Sequence, residues 1–222
     1  VIEVQRHAAG AVLAVEQGRS LTPTLSTLWA AHPRLTPAQR GAIQDLAFGV
    51  CRWRGTLDAL LALLLRKPLT HARLHALLHV ALYQLEWTRA PAHAVVDSAV
   101  RVCAAFGQRA AKGLVNAVLR SFLRGRPQLL AQARASDSGR LSYPQWWIDA
   151  IRQAWPAQWE AILQAGNEHP PMTLRVNARR ATPTAYLLLL QQAGIGARAL
   201  GGSAVLLDQP LSMQALPGFR DG

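Results

Sequence analysis

The chain has 222 residues, half of them hydrophobic, and carries 24 Lys+Arg against 12 Asp+Glu for a formal net charge of +12. The apolar content excludes a disordered chain, and the length supplies a core for one large domain or two small ones. The charge points to a polyanionic partner. No apolar run reaches the roughly 18 residues of a membrane span, and no secretory signal is visible, so a cytoplasmic protein without a membrane partner is expected.

The first half reads as one helix after another. Ala8, Ala9, Val12, Leu13 and Val15 predict a helix stopped by Gly18. Ser20 can cap a second helix through Leu28. Thr36, Pro37 and Gln39 form a capping-box pattern with proline at the first helical position, opening a helix to about residue 52. Leu57, Leu60, Leu61, Leu64 and Leu65 mark the next, halted before Pro68. Leu74, Leu77, Leu78, Ala81, Leu82 and Leu85 mark another, ended by Pro91. Val95, Val96, Ala99, Val100 and Cys103 follow, stopped near Gly107. No strand pattern interrupts the series, which predicts an all-α bundle.

The stretch RAAKGLVNAVLRSFLR (109–124) divides sharply. At about 100° per residue, Ala111, Leu114, Val115, Val118 and Phe122 share one side, facing a core. Arg109, Lys112, Asn116, Arg120 and Arg124 fall within an arc of roughly 120° on the other, with no acidic residue beside them. That face suits either an ordinary solvated helix or one lying along a polyanion. The first 125 residues hold 15 Lys+Arg against 6 Asp+Glu, and the remainder 9 against 6, so the cationic surplus sits in the first half. Of the 24 basic residues 22 are arginine, which suits phosphate contact and stacking, although GC-rich coding also favours Arg over Lys.

After residue 125 the composition changes. A short helix is expected before ASDSG (135–139), which resembles a linker. Ser142 can cap a helix with Trp146, Trp147 and Ile148, broken by Pro156, and a second carries Trp159 and Ile162. Pro170 and Pro171 force an extended chain. TLRVN (173–177) is strand-like, with Leu174 and Val176 on one face. Thr182 and Pro183 open a helix ended by Gly194, and Ala204 to Leu207 gives a second strand. The expected organisation is a helical domain over 1–138 and a small α/β module over 139–222.

No catalytic set stands out. No glycine-rich loop follows a strand, so no nucleotide cradle is expected. Cys51 and Cys103 lie in apolar helical runs and read as small buried thiols, without a CxxC pair. His71, His75 and His79 repeat at a spacing that can hold a metal, but no fourth ligand is evident. His75, His79 and Glu86 flank a leucine stripe, and no metal is expected. His93 reads as a helix-start hydrogen-bond partner. Asn116 either touches nucleic acid or satisfies a neighbouring helix end, packing being favoured. Trp146, Trp147, Trp155 and Trp159 could stack on bases, but their helical spacing favours the core. Arg175, Asn177, Arg179 and Arg180 cluster at a strand end after the rigid Pro-Pro, where they could clamp a phosphate backbone; for Arg175 a structural ion pair is the alternative.

ALYQLEWTRAPAHAVVDSAV (81–100) followed by KGLVNAVLR (112–120) resembles the NusB-like RNA-binding domain at the front of bacterial rRNA 5-methylcytosine methyltransferases. QDLAFGVCRW (44–53) and EQGRSL (16–21) fit the same pattern. PPMTLRVN (170–177) and ALPGF (215–219) are similar to the small module that precedes the catalytic domain in the Sun/Fmu group of these enzymes. Asp97-Ser98 departs from the Asn-Glu pair the family often shows.

The resemblance implies a NusB-like helical bundle followed by a small α/β module. It implies an S-adenosylmethionine-dependent methyl transfer to small-subunit rRNA by the whole protein. The chain reads as a fragment that stops before the methyl-donor domain. No catalytic or cofactor-binding residue is expected in it, and Cys51 and Cys103 are not expected to act as nucleophiles. Arg6, Arg109, Lys112, Arg120 and Arg124 are expected to track RNA phosphates, with Arg175, Asn177, Arg179 and Arg180 guiding the strand onward. A monomer that binds rRNA and not DNA is expected. The alternative is a non-enzymatic, antitermination-type RNA binder of the NusB kind.

Overall fold

The computed structural model describes residues 1–219 and divides into two compact units, Val1–Asn167 and Glu168 onward. The first unit is helical: α1 (Ile2–Glu16), α2 (Leu21–Ala31), α3 (Pro37–Arg52), α4 (Arg54–Leu64), α5 (Ala72–Trp87) and α6 (Ala92–Ala105). A 3-10 turn (Arg109–Ala111) leads into α7 (Lys112–Ala133), followed by α8 (Asp137–Leu141), α9 (Gln145–Ala154) and α10 (Trp159–Asn167).

The predicted punctuation explains most boundaries. Gly18 adopts φ +87°, a left-handed conformation that glycine enters without Cβ strain, and the backbone turns out of α1 there. Thr36 and Gln39 form the capping box: Gln39 N donates to Thr36 Oγ1 (3.2 Å) and Thr36 N donates to Gln39 Oε1 (2.9 Å). Ser20 precedes α2 as expected, but its hydroxyl makes no capping bond.

The core is apolar and continuous, with α5 central: Leu74, Ala76, Leu77, Leu78, Val80, Ala81 and Leu82 are buried along it. A helix buried nearly all round needs partners on every side, and α1, α3, α4, α6 and α7 pack against it. Gln5 and Gln84 are a buried polar pair within it. Gln5 Nε2 donates to Gln84 Oε1 (2.6 Å) and to the Val95 carbonyl (3.2 Å), tying α1, α5 and α6 together.

ASDSG is no linker. Ser136 caps α8 by accepting from Gly139 N (3.1 Å), and α8 packs against α4. Thr56 Oγ1 donates to the Gly139 carbonyl (2.6 Å) and lies 2.7 Å from Ser142 Oγ. A Cβ on Gly55 would overlap the Ser138 carbonyl, and one on Gly139 the Ala133 carbonyl, so the two glycines permit this approach. The contact-based division therefore falls after Asn167, where the change in composition had suggested one after residue 138. Ser142 closes α8 instead of capping α9, whose N-cap position is Pro144.

The satellite core of α8 to α10 is Leu141, Ile148 and Leu163, with Tyr143, Ile151 and Trp159 against it. The expectation that the tryptophans are core fails for three of four: Trp146, Trp147 and Trp155 are 68%, 39% and 55% exposed. Ile148 is the one fully buried residue of the ten in α9, and the neighbouring indoles project away from its narrow face.

The second unit holds β1 (Thr173–Arg175), α11 (Pro183–Gln192), β2 (Ala197–Gly201) and β3 (Ala204–Leu207). The sheet order is β1-β3-β2, with β3 antiparallel to both neighbours. This is a split β-α-β with the third strand inserted between the first two, as in ferredoxin-like folds. Val176, Leu190, Val205, Leu207 and Leu216 form its core. The strand at Ala197–Gly201 was not foreseen, because ARALG alternates weakly and is largely exposed. No described helix is long and apolar enough to cross a membrane.

Candidate nucleic-acid interface

Around residues 109–124 the structure redraws both faces of the predicted helix. Arg109 and Ala111 belong to the 3-10 turn, and the α-helix starts at Lys112. It runs on to Ala133 through a kink at Gly125 (φ −108°, ψ 18°), two residues before Pro127. Val115, Val118, Leu119 and Phe122 are buried, whereas Leu114, placed in the core by periodicity, is 41% exposed. The true buried stripe is centred on Val115 and Phe122, leaving Leu114 on its flank beside Leu64, Leu65 and Leu69.

Arg109, Lys112, Arg120 and Arg124 are all exposed, and none pairs with a carboxylate among the described residues. Past the kink the same helix behaves differently. Arg126 Nε binds Glu86 Oε2 at 2.7 Å, its Nη2 donates to the Glu86 carbonyl, and Arg134 approaches Glu86 at 3.9 Å. One helix thus separates structural arginines from unpaired ones, and the unpaired set is the predicted ridge.

Asn116 Oδ1 accepts from Arg120 Nε (2.9 Å) within α7, and among the described residues no hydrogen bond takes its side chain to a neighbouring helix end, against the packing role its mid-helix position suggests. Arg120 is exposed, and with Nε so held its outer guanidinium nitrogens have no carboxylate partner among the described residues and are available to an external acceptor. Asn116 and Arg120 also line a 350 Å³ groove with His93 and Asp97 of α6. His93 thus contributes to a groove wall, and no side-chain bond caps the start of α6. Arg124 Nη2 donates to Ser121 Oγ (3.0 Å). Arg6 departs from the ridge: on α1, it faces Glu3 at 3.8 Å.

Sequence reasoning missed Arg66 and Lys67. They sit in the loop after α4, read only as the approach to Pro68, and line a 530 Å³ groove with Leu114, Ala117 and Ser121 of α7. The signal was an Arg-Lys pair directly before a proline.

In the second unit, Arg175, Asn177, Arg179 and Arg180 are exposed around the turn after β1. Asn177 Oδ1 accepts from Arg179 N (3.1 Å), and its carbonyl accepts from Arg180 N (2.9 Å), which builds the turn. Arg175, Arg179 and Arg180 have no carboxylate partner among the described residues. Arg175, Asn177 and Arg180 border a 530 Å³ pocket lined with Tyr186, Leu189 and Phe219.

Of the two cysteines, both expected to be buried, only one is. Cys103 is buried, its Sγ donates to the Gln108 carbonyl (3.1 Å), and desolvation pushes its thiol up. Cys51 is exposed on the cleft between α3, α4 and α8, against expectation. The described sheet is antiparallel, and no described strand leads through a glycine-rich turn into a helix.

The family model described as "NusB family" matches residues 3–124, and the one described as "Methyltr_RsmF/B-like, ferredoxin-like domain" matches residues 143–214. The chain is 44% identical over 219 residues to ribosomal RNA small subunit methyltransferase B of Pseudomonas putida, covering 97% of this chain and 50% of the relative. The protein of the same name from Serratia proteamaculans is 43% identical, with the same coverage. That from Escherichia coli O127:H6 is 39% identical over 212 residues, covering 94% of this chain and 48% of the relative. The chain thus spans about half the length of the curated relatives it matches. The crystal structure of PH0851 shares the fold, with a TM-score of 0.66 at 13% identity over 99% of this chain and 51% of that one. With over half of its residues inside the NusB match and the ferredoxin-like match behind it, the chain belongs to the NusB family and carries an RsmF/B-like ferredoxin-like domain.

Proposed function

We propose that this chain binds and orients small-subunit rRNA for a cytosine 5-methyltransferase that uses S-adenosylmethionine. The observation that carries the reading is the set Arg109, Lys112, Arg120 and Arg124 in the 3-10 turn and the first part of α7, exposed and free of carboxylate partners among the described residues, while Arg126 and Arg134 past the kink pair with Glu86. Cations left unpaired on one face are available to replace counterions along a phosphate backbone. They set position and orientation, while base choice belongs to contacts with base edges and to the extrusion of the target cytosine.

Arg175, Asn177, Arg179 and Arg180 serve the same strand from the second unit, and Arg6 joins them by exchanging Glu3 for phosphate. The names of the relatives support methyl transfer as the reaction of the whole protein. The chain by itself turns over no substrate. It acts as a cytoplasmic monomer and prefers RNA to DNA.

The test is binding of a labelled small-subunit rRNA hairpin at a series of salt concentrations, with a duplex DNA of equal length as competitor. A steep fall in affinity with salt and poor competition by DNA are expected. Affinity that barely moves with salt overturns the phosphate-tracking reading. Equal competition by DNA overturns the preference for RNA. Methyl transfer from labelled S-adenosylmethionine by the chain alone overturns the division of labour.

A further inference from the structure

His75 and His79 stand one helical turn apart on α5, and sequence spacing alone supplied no further ligand. The third comes from 59 residues upstream of His75. Glu16 ends α1, which packs against α5, and its carboxylate reaches both imidazoles. Glu16 Oε1 lies 3.7 Å from His75 Nδ1 and 3.7 Å from His79 Nδ1, and the three ligand atoms lie within 4.8 Å of one another. These separations are too long for hydrogen bonds. They come close to the spacing of about 3.3 Å between neighbouring ligands around a tetrahedral ion bound at about 2.0–2.1 Å.

His79 is the second observation. Its side chain is fully buried, and neither ring nitrogen makes a hydrogen bond of acceptable geometry. A polar ring in that position costs stability unless something takes its lone pair. Its Nε2 sits 2.9 Å from Asp58 Oδ1. A carboxylate behind the distal nitrogen assigns the proton to Nε2 and leaves the Nδ1 lone pair facing Glu16, the arrangement that orients metal-binding histidines.

We propose that Glu16, His75 and His79 form a site for one borderline divalent transition ion, represented by zinc, with Asp58 orienting His79. Two imidazoles and a carboxylate select such ions over magnesium and calcium, which prefer all-oxygen shells. His75 is partly exposed, so the three ligands are not sealed from solvent. Arg54 is the competitor: its Nη1 donates to Glu16 Oε1 at 2.6 Å, while its Nε binds both Asp58 oxygens at 3.0 and 2.8 Å. On ion binding the guanidinium gives up Glu16 and keeps Asp58. The site is separate from the RNA-binding ridge, and its test does not depend on RNA.

The test is calorimetric titration of chelator-treated chain with zinc, repeated with magnesium, alongside cobalt uptake followed by visible absorption. One zinc per chain, an intense four-coordinate cobalt band and no magnesium binding are expected. Glu16→Gln and His75→Ala each weaken zinc binding at least about tenfold. Arg54→Gln tightens it, and His32→Ala, in the His7–His32 ring pair elsewhere, leaves it unchanged. Partly exposed His75 tolerates truncation, and far-UV circular dichroism establishes that each variant keeps its helices. No saturable zinc uptake, or uptake undiminished in both Glu16→Gln and His75→Ala, overturns the proposal.

Discussion

Replacing Arg109, Lys112, Arg120 and Arg124 together by alanine deletes the unpaired ridge while leaving the buried stripe of Val115, Val118, Leu119 and Phe122 intact. Each phosphate contact contributes about 0.9 to the slope of log affinity against log salt on a duplex and about 0.7 on a single strand. Four contacts therefore amount to a slope of about 3, or about 60-fold in affinity between 50 and 200 mM salt by the same relation. The ridge is expected to contribute that factor to the wild-type loss over this range, and the variant to lack that share of it. Because none of the four side chains has a carboxylate partner among the described residues, folding stability is expected to move by no more than about 0.5 kcal/mol per site. Fluorescence anisotropy of an rRNA hairpin at several salt concentrations reads the slope, and thermal unfolding reads the stability. A slope that changes by less than about 1 refutes the phosphate-tracking ridge. A collapse in melting temperature would place these cations in the structure instead.

Arg126→Ala is expected to act in the opposite sense, leaving Glu86 at 11% exposure without its close partner and costing about 1–3 kcal/mol in denaturant unfolding with little effect on the salt slope. Gly139→Ala drives a Cβ into the Ala133 carbonyl and should lower stability by about 2 kcal/mol, read by the same assay; wild-type stability would show that α8 can yield. Burial by itself would raise the Glu16 carboxyl. His75, His79 and the charge of Arg54 outweigh it and hold the group well below the usual range. Asp58 is lowered likewise by His79 and Arg54 against burial. Carboxyls depressed in the folded state contribute stability that is complete above their ordinary values and lost as pH falls through the folded ones. Stability should therefore decline below about pH 4.5, and Glu16→Gln should flatten that decline; an unchanged acid limb would remove Glu16 from the cluster's energetics.

Local signals carried the helical unit a long way. Proline, glycine and the Thr36–Gln39 box mark boundaries because they act within one turn of chain, where sequence order and spatial order coincide. The cationic ridge is legible for the same reason from Lys112 onward, since helical spacing gathers Lys112, Arg120 and Arg124, whereas Arg109 sits in the 3-10 turn that precedes the helix. The errors arose where a neighbour decides. Leu114 and the tryptophans of α9 have the right spacing for a core but are exposed, while Leu119 is buried. Arg126 and Arg134 look no different in sequence from Arg120 and Arg124. Only the position of Glu86 on α5 makes them structural.

The sequence by itself determined the helical series, the strand-end arginines after the Pro-Pro pair and the cationic face of 109–124, because each depends on residues adjacent along the chain. Tertiary structure alone decided which cations are left unpaired, that ASDSG forms a capped helix against α4, and that Glu16 meets His75 and His79. Those outcomes depend on close packing between helices, which brings together side chains that no local period relates.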